Sequence, residues 1–287
     1  MKTVHIGGVP EHFNLAWYLT LKNGDYKREG INLRWKDYHG GTGEMNRALR
    51  DGSIDMAVIL TEGIVKDIID GNPSKIVQTF VKTPLIWGIH VAAASSFESV
   101  EELRGTRAAI SRYGSGSHLM AYVNAQNLNW DTQSDLKFEV IKNLAGAVEG
   151  LSNGEADYFM WEKFTTKPIV DKGVFRRIGE CPTPWPCFVI AVRNDFIQND
   201  REILQTILRI INASTRQFKD IPDIAKTISN RYGQQLEDVE AWLQLTEWSQ
   251  TTIQPETIES VQTQLKDLNI IDKKVPYGDL VFSSLDL

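Results

Sequence analysis

Ala48-Leu-Arg-Asp-Gly-Ser-Ile-Asp-Met-Ala57 and Gly150-Leu-Ser-Asn-Gly-Glu-Ala-Asp-Tyr-Phe159 are built to one plan. Each closes a helical pattern on a glycine (Gly52, Gly154), spaces two residues, places an aspartate (Asp55, Asp157) and then enters an apolar run. Helix–glycine–strand turns recur in α/β proteins because glycine takes the left-handed cap conformation without penalty. Both stretches also follow a loop of small residues that opens a helix, Gly40-Gly-Thr-Gly in one case and Asn143-Leu-Ala-Gly in the other. Repetition of loop, helix, glycine and aspartate implies two lobes of similar construction.

Around the first copy, strand and helix patterns alternate. Thr3–Gly7, Ile31–Tyr38, Ile54–Leu60 and Lys75–Val81 read as strands. Between them Phe13–Leu21, Glu44–Asp51 and Glu62–Asp70 read as helices. The almost wholly apolar run Ile54–Leu60 suits a parallel strand covered on both faces. Around the second copy the order is strand Ile86–Ala93, helix Ser95–Leu103, strand Thr106–Ser111, helix Ser117–Asn127 and strand Leu136–Ile141. Helix Leu144–Leu151, strand Glu155–Trp161, helix Glu162–Lys172 and strands Val174–Gly179 and Phe188–Val192 follow. From Arg201 to Ile270 only helical patterns remain, broken at Pro222, Gly233 and Pro255. The fold class is α/β, with two sheets and a helical C-terminal tail.

The chain has 287 residues, enough for two lobes that each bury a core. A formal net charge of -6 weighs against nucleic acid as a partner, because phosphate neutralisation needs a basic face. The longest apolar stretch, residues 86–94, is too short to span a bilayer, so no direct membrane insertion is expected. Met1-Lys2 runs straight into a strand pattern without the apolar segment of a secretory signal. Two settings follow: cytoplasmic if Met1 is the native start, periplasmic or lipid-anchored outside the cell if a signal was removed. Cys181 and Cys187 permit a disulfide that lobes of this size do not need. The five histidines lack paired ligand spacing and the cysteines are not CxxC, so neither metal nor cofactor is expected.

The succession of motifs resembles the periplasmic solute-binding proteins of ABC importers, type II fold, in the branch serving nitrate, sulfonates, taurine and thiamine-precursor pyrimidines. The resemblance rests on Gly7-Gly8-Val9-Pro10 before an aromatic helix, Lys27-Arg-Glu-Gly-Ile-Asn-Leu, Gly40-Gly-Thr-Gly and Ala48-Leu-x-x-Gly-x-Ile-Asp-Met-Ala. Leu103-Arg-Gly-Thr-Arg-Ala-Ala-Ile, Tyr113-Gly-Ser-Gly-Ser and Gly150-Leu-x-x-Gly-Glu-Ala-Asp continue it, over about residues 1–220. It implies a two-lobed molecule with discontinuous lobes, residues 1–88 plus 187–287 forming lobe I and residues 89–186 lobe II. Two hinge crossings are implied, at Trp87–Val91 and Pro184–Cys187. A monomer that closes around a small molecule and hands it to transporter membrane subunits would be the family behaviour.

In parallel sheets, ligands meet the loops beyond the carboxyl ends of the strands, where helix N-termini offer free N–H groups. That rule selects His12, Gly41, Thr42, Thr61, Glu62, Ser115, Ser117, His118 and Glu162 as candidate ligand-binding residues. Each also has a bland reading. Thr42, Ser115 and Ser117 suit helix caps, the glutamates suit the positive end of a helix dipole, and a lone histidine is usually a surface residue. Glu62 and Glu162 favour an amine or heterocycle N–H over sulfonate or nitrate, which would call for arginine or lysine. Arg112 is a cation that lies within one of these loops. Trp87, Trp161 and Trp185 are candidates for an aromatic clamp, while Trp17, Trp35, Trp242 and Trp248 read as core.

Neither glycine-rich loop has the lysine of a phosphate-cradling loop, and Ser115 lacks the nucleophile elbow and an adjacent base. No catalytic residue is therefore assigned, and a non-enzyme is expected. Two alternatives stay open: an enzyme on the same fold, of the thiamine-pyrimidine or menaquinone-pathway type, and a cytoplasmic ligand sensor. The segment Cys181–Cys187 does not match the cysteine-rich segment of the pyrimidine synthases.

Overall fold

Alternating and continuous apolar runs place ten strands: Lys2–Gly8 (β1), Ile31–Asp37 (β2), Met56–Leu60 (β3), Ser74–Val81 (β4), Ile86–Ala92 (β5), Arg107–Ile110 (β6), Lys137–Val140 (β7), Tyr158–Glu162 (β8), Phe175–Pro182 (β9) and Phe188–Arg193 (β10). They come from a computed structural model that describes residues 1–283. Residues 284–287, which the sequence assigns to lobe I, lie outside the described residues.

The chain divides into two units. The first takes Met1–Thr83, Trp185–Tyr232 and the residues from Val239 on; the second takes Pro84–Pro184 and Gly233–Asp238. Unit 1 holds a sheet of order β2-β1-β3-β10-β4. β2, β1 and β3 run parallel, and β10 is antiparallel to both β3 and β4. Met56, Ala57, Val58 and Ile59 are fully buried, as continuous apolar strands covered by helices must be. Unit 2 holds a sheet of order β7-β6-β8-β5-β9, again with three parallel strands and an antiparallel fourth, β5, between β8 and β9. The two sheets thus share one strand order. The architecture is α/β with two sheets, as the sequence indicates, but each sheet is mixed because one strand runs antiparallel to its neighbours.

Both copies of the opening motif do the same work. Asp55 Oδ2 accepts from the backbone N–H of His5 at 2.7 Å, while the Asp55 N–H donates to His5 O at 2.8 Å. Asp157 Oδ2 accepts from the backbone N–H of Arg107 at 2.8 Å and returns its own N–H to Arg107 O at 2.8 Å. Each aspartate therefore pins the strand it precedes to the strand beside it. Gly52 (φ 78°) and Gly154 (φ 71°) supply the left-handed turn before it.

Three expectations are corrected. The chain does not pass between units at residue 88, and Trp87–Val91 is not a crossing. Trp87 is paired with Glu162 on one side and Cys181 on the other, and Val91 with Arg176, which places these residues inside the second sheet. The chain leaves unit 1 after Thr83 and returns at Trp185, so Trp87 belongs to unit 2 and Trp185 to unit 1. A further excursion, Gly233–Asp238, joins unit 2, where Gln234 Nε2 donates to Phe164 O at 3.0 Å and Asp238 pairs with Lys167 at 3.2 Å.

The second correction concerns Ser95–Leu103, which contains only the short 3₁₀ turn Glu101–Leu103. Side chains there outcompete a helix for the backbone. Glu102 accepts from the N–H groups of Glu98 and Ser99, and Arg176 donates to the carbonyls of Ser95 and Phe97. Third, the helix expected from Glu162 begins only at Lys167. Glu162 is the last residue of β8 and closes the turn after it. Both cysteines are buried, and no disulfide joins them.

Candidate functional site

The carboxyl edge of the first sheet gathers six of the expected residues. β1 ends at Gly8 and is followed by the short turn His12–Asn14; β3 ends at Leu60 and runs directly into the helix Thr61–Ile69. β1 and β3 are neighbours, and Phe188 of β10 lies opposite Leu60. The ring of Phe13 packs on Phe188 at 5.2 Å, which puts His12 and the start of helix Thr61–Ile69 on the same edge.

Gly41 opens the helix Thr42–Asp51 at φ 64°, ψ -153°, a conformation that only glycine adopts without strain. Thr42 then lays its methyl against Gly63, where a Cβ would stand 2.3 Å from it. Asn46 Nδ2 adds a bond of 3.2 Å to Gly63 O, so the two helix N-termini are in contact. Thr61 is less available than its position suggests. Its hydroxyl donates to Pro186 O at 2.6 Å, with Cys187 O at 3.3 Å, and anchors the returning chain.

Glu62 is 2% exposed, and its Oε2 accepts from Trp185 Nε1 at 2.9 Å. The other oxygen, Oε1, is buried with no hydrogen-bond partner. Burial pushes the Glu62 carboxyl up to about 7, against the opposing bonds from backbone and Trp185. His12 is 1% exposed with its Nε2 unpartnered, and burial pushes its pKa down to about 3, so the ring is neutral.

The other six residues stand at the corresponding edge of the second sheet. After β6 the chain turns through Ser111–Ser115 into the helix Gly116–Asn127, which Ser115 caps by accepting from the His118 N–H at 3.3 Å. Ser117 Oγ accepts from the Ser111 N–H at 3.0 Å and lies 3.1 Å from Ser115 Oγ. His118 Nδ1 accepts from the Gly114 N–H at 3.1 Å, which assigns its proton to Nε2. The ring is packed edge-on among Tyr113, Tyr122 and Phe138, and burial lowers its pKa to about 4.

Trp87, the second residue of β5, lies opposite Glu162, with its Nε1 buried and unpartnered, and its ring meets Trp161 at 6.2 Å. Trp161 stacks on Phe159 at 5.3 Å and packs against the apolar core under the helix Leu144–Ser152. Glu162 differs from Glu62. Its Oε2 takes both the N–H and the hydroxyl of Thr165, at 2.6 and 2.8 Å, and burial raises its pKa.

Unit 1 thus unites His12, Gly41, Thr42, Thr61, Glu62 and Trp185, and unit 2 unites Trp87, Ser115, Ser117, His118, Trp161 and Glu162. Trp242 escaped the sequence reading: it lies with its ring 4.2 Å from that of His12, and its Nε1 is buried without a partner. A lone tryptophan in a helical stretch carries no local signal that separates it from core. Among the described residues no three His, Cys, Asp or Glu side chains form a metal site. No helix among them is long and apolar enough to cross a membrane.

A family model described as Ca3427-like PBP matches residues 87–181. No curated protein matches the chain. Among solved structures, the CA3427 gene product of Candida albicans superposes with a TM-score of 0.90 at 24% identity, over 99% of this chain and 97% of that one. It is described as exhibiting the generic periplasmic binding protein fold. The alkanesulfonate-binding protein SsuA of Xanthomonas axonopodis pv. citri, bound to MOPS, gives 0.83 at 16% identity over 98% of each chain. A ligand-binding component of an ABC-type import system from Staphylococcus aureus, with zinc bound, gives 0.78 at 16% identity over 100% of this chain and 98% of that one. The strand order repeated in two sheets and these whole-length superpositions agree: the chain has the periplasmic-binding-protein fold, of the kind found in the sulfonate-binding proteins.

Proposed function

We propose that this chain is a solute-binding protein that captures a small polar or heterocyclic organic molecule with the strand-end loops of its two units, and delivers it to an ABC importer. Binding without chemistry is the intended role. The observation that carries the reading is Glu62: a fully buried carboxyl with one oxygen held by Trp185 and the other unpartnered. Burying a polar atom without a partner is costly, and a solute N–H on Oε1 removes that cost. His12, Gly41 and Thr42 are proposed to line the same side of the ligand. Trp87, Ser115, Ser117, His118, Trp161 and Glu162 are the proposed ligand contacts of unit 2, with Trp87 offering an unpartnered N–H. Delivery to a transporter is supported by the similar structures that carry that description.

The test is native mass spectrometry of the purified full chain, followed by titration calorimetry. A retained small molecule with an amine or ring N–H, bound by the wild type and lost in Glu62→Gln, is the expected result. Tight binding of nitrate or taurine, with no heterocycle bound, would overturn the reading.

A further inference from the structure

Two ring nitrogens at the carboxyl edge of the first sheet lack any hydrogen-bond partner although both side chains are 1% exposed: His12 Nε2 and Trp242 Nε1. The two rings meet edge-on at 4.2 Å, and Phe13 packs against both. Of the other unit 1 tryptophans, Trp17 likewise has a buried Nε1 without a partner, whereas two others are satisfied. Trp248 Nε1 donates to Phe13 O at 3.4 Å, and Trp185 Nε1 donates to Glu62. Hydrophobic packing alone would favour a phenylalanine at 242, because a buried indole N–H without an acceptor forfeits the bond it made to water.

The chemistry of these atoms is restrictive. An indole nitrogen only donates, so Trp242 calls for an oxygen acceptor. A neutral imidazole nitrogen serves as donor or acceptor according to tautomer, and fits the same oxygen or a hydroxyl beside it. Glu62 Oε1, which follows the strand next to β1, calls for an N–H. None of the three brings a positive charge. Arg231, beside Tyr232, is exposed and lies over the ring of Tyr18 at 4.1 Å. A buried anion without a countercharge is strongly disfavoured, and a carboxyl group in the same edge adds to that penalty.

We infer that His12 and Trp242 form an oxygen-acceptor subsite within unit 1 which, with Glu62, selects an uncharged heterocycle bearing both an N–H and a carbonyl oxygen. This rests on the solute-binding reading above and sharpens it. The helix Leu236–Leu245 then contributes a specificity-determining side chain to the ligand.

Titration calorimetry of the full chain with hydantoin, uracil and nicotinamide, beside methanesulfonate and nitrate, tests the inference. At least one of the three neutral probes is expected to bind, with both anions silent. Trp242→Phe and His12→Phe are each expected to weaken that probe at least tenfold, in proteins whose unliganded melting curves show them folded. The ¹⁵N-indole signal of Trp242 in the wild type reads the contact without mutation, and its proton is expected to move downfield on binding. A neutral probe that is lost in Glu62→Gln but leaves the Trp242 signal and both ring variants unchanged overturns the subsite while the solute-binding reading survives. Binding of an anion instead of the neutral probes also overturns it. Silence of all five probes, with no molecule retained on purification, overturns both.

Discussion

Trp185 and Glu62 are 123 positions apart in sequence, yet the indole N–H of one donates to the carboxyl of the other at 2.9 Å. Trp185 is the first residue after the chain returns to unit 1, and Glu62 lies in the first turn of a helix that follows β3. Thr61 reinforces the contact by donating to Pro186 O. The returning chain is thereby tied to the helix whose glutamate keeps one oxygen free of protein partners.

Glu62 makes stability depend on pH in an unusual direction. Its folded pKa, about 7, lies above the ordinary glutamate value of 4.5, because burial penalises the charge. Between those values the unfolded chain is ionised while the folded one holds its proton, so stability falls as pH rises through the window. The loss amounts to about 3 kcal/mol, from about 1.4 kcal/mol per pKa unit. Urea denaturation of unliganded wild type and Glu62→Gln from pH 4.5 to 7 should show the difference between them growing in favour of the variant. Parallel curves would refute the assignment.

His90 acts in the opposite sense. It is fully buried, with Nδ1 3.3 Å from Phe159 O and Nε2 2.9 Å from the Thr166 hydroxyl, and burial lowers its pKa to about 4. Below the ordinary value of 6.5 the unfolded chain takes up a proton that the folded one refuses, so this stability is lost as pH falls from 6.5 towards 4. The slope for His90→Gln in that window should be shallower than that of the wild type.

Asp55 and Asp157 are expected to be structural and silent in binding. For Asp157, burial alone would raise the pKa, but the Arg107 side chain, its backbone N–H and its charge together hold it below the usual aspartate value. The stability this contributes is present above the unfolded pKa and lost as pH falls through the folded one. Asp157→Ala should cost about 1.5–3 kcal/mol, the worth of charge-assisted bonds, with ligand affinity unchanged. A variant of wild-type stability would mean that the strand needs no pin.

Gly146 tests the loop that opens the helix Leu144–Ser152. A Cβ there would stand 1.9 Å from Ile141 O, a backbone atom that cannot swing away. A Cβ at Gly150 meets the Ile141 Cγ2 methyl at 3.1 Å and Glu155 Oε2 at 3.8 Å, both side-chain atoms. Gly146→Ala should therefore destabilise by about 1–3 kcal/mol, as overpacking does, and Gly150→Ala by clearly less. Thermal melts of the two variants side by side decide it.

The glycine–aspartate echo, the strand pattern and the helix-opening loops were all legible in the chain, because periodicity and turn chemistry are local. What failed was also local. At 95–103 the pattern looked helical, but Glu102 and Arg176 claimed the backbone groups a helix would have used. Glu162 was expected to open a helix, yet hydrogen bonds to Thr165 bind it into a turn. The boundary at residue 88 failed for a different reason: Trp87 is apolar in either sheet, and only pairing with Cys181 and Glu162 decides which. Trp242 stayed hidden because its neighbour His12 is 230 residues away, and no spacing rule reaches that far.

The antiparallel fourth strand of each sheet constrains the order in which a nascent chain acquires its structure. β3 and β4 of unit 1 are joined only through β10, which is made from Phe188–Arg193. Until those residues leave the ribosome the first sheet has a gap between β3 and β4, with apolar edges on both sides. All five strands of the second sheet, by contrast, lie within Pro84–Pro184, one uninterrupted stretch. The unit that starts later in the sequence is therefore the first whose sheet can be completed during synthesis, and the N-terminal strands must wait for it.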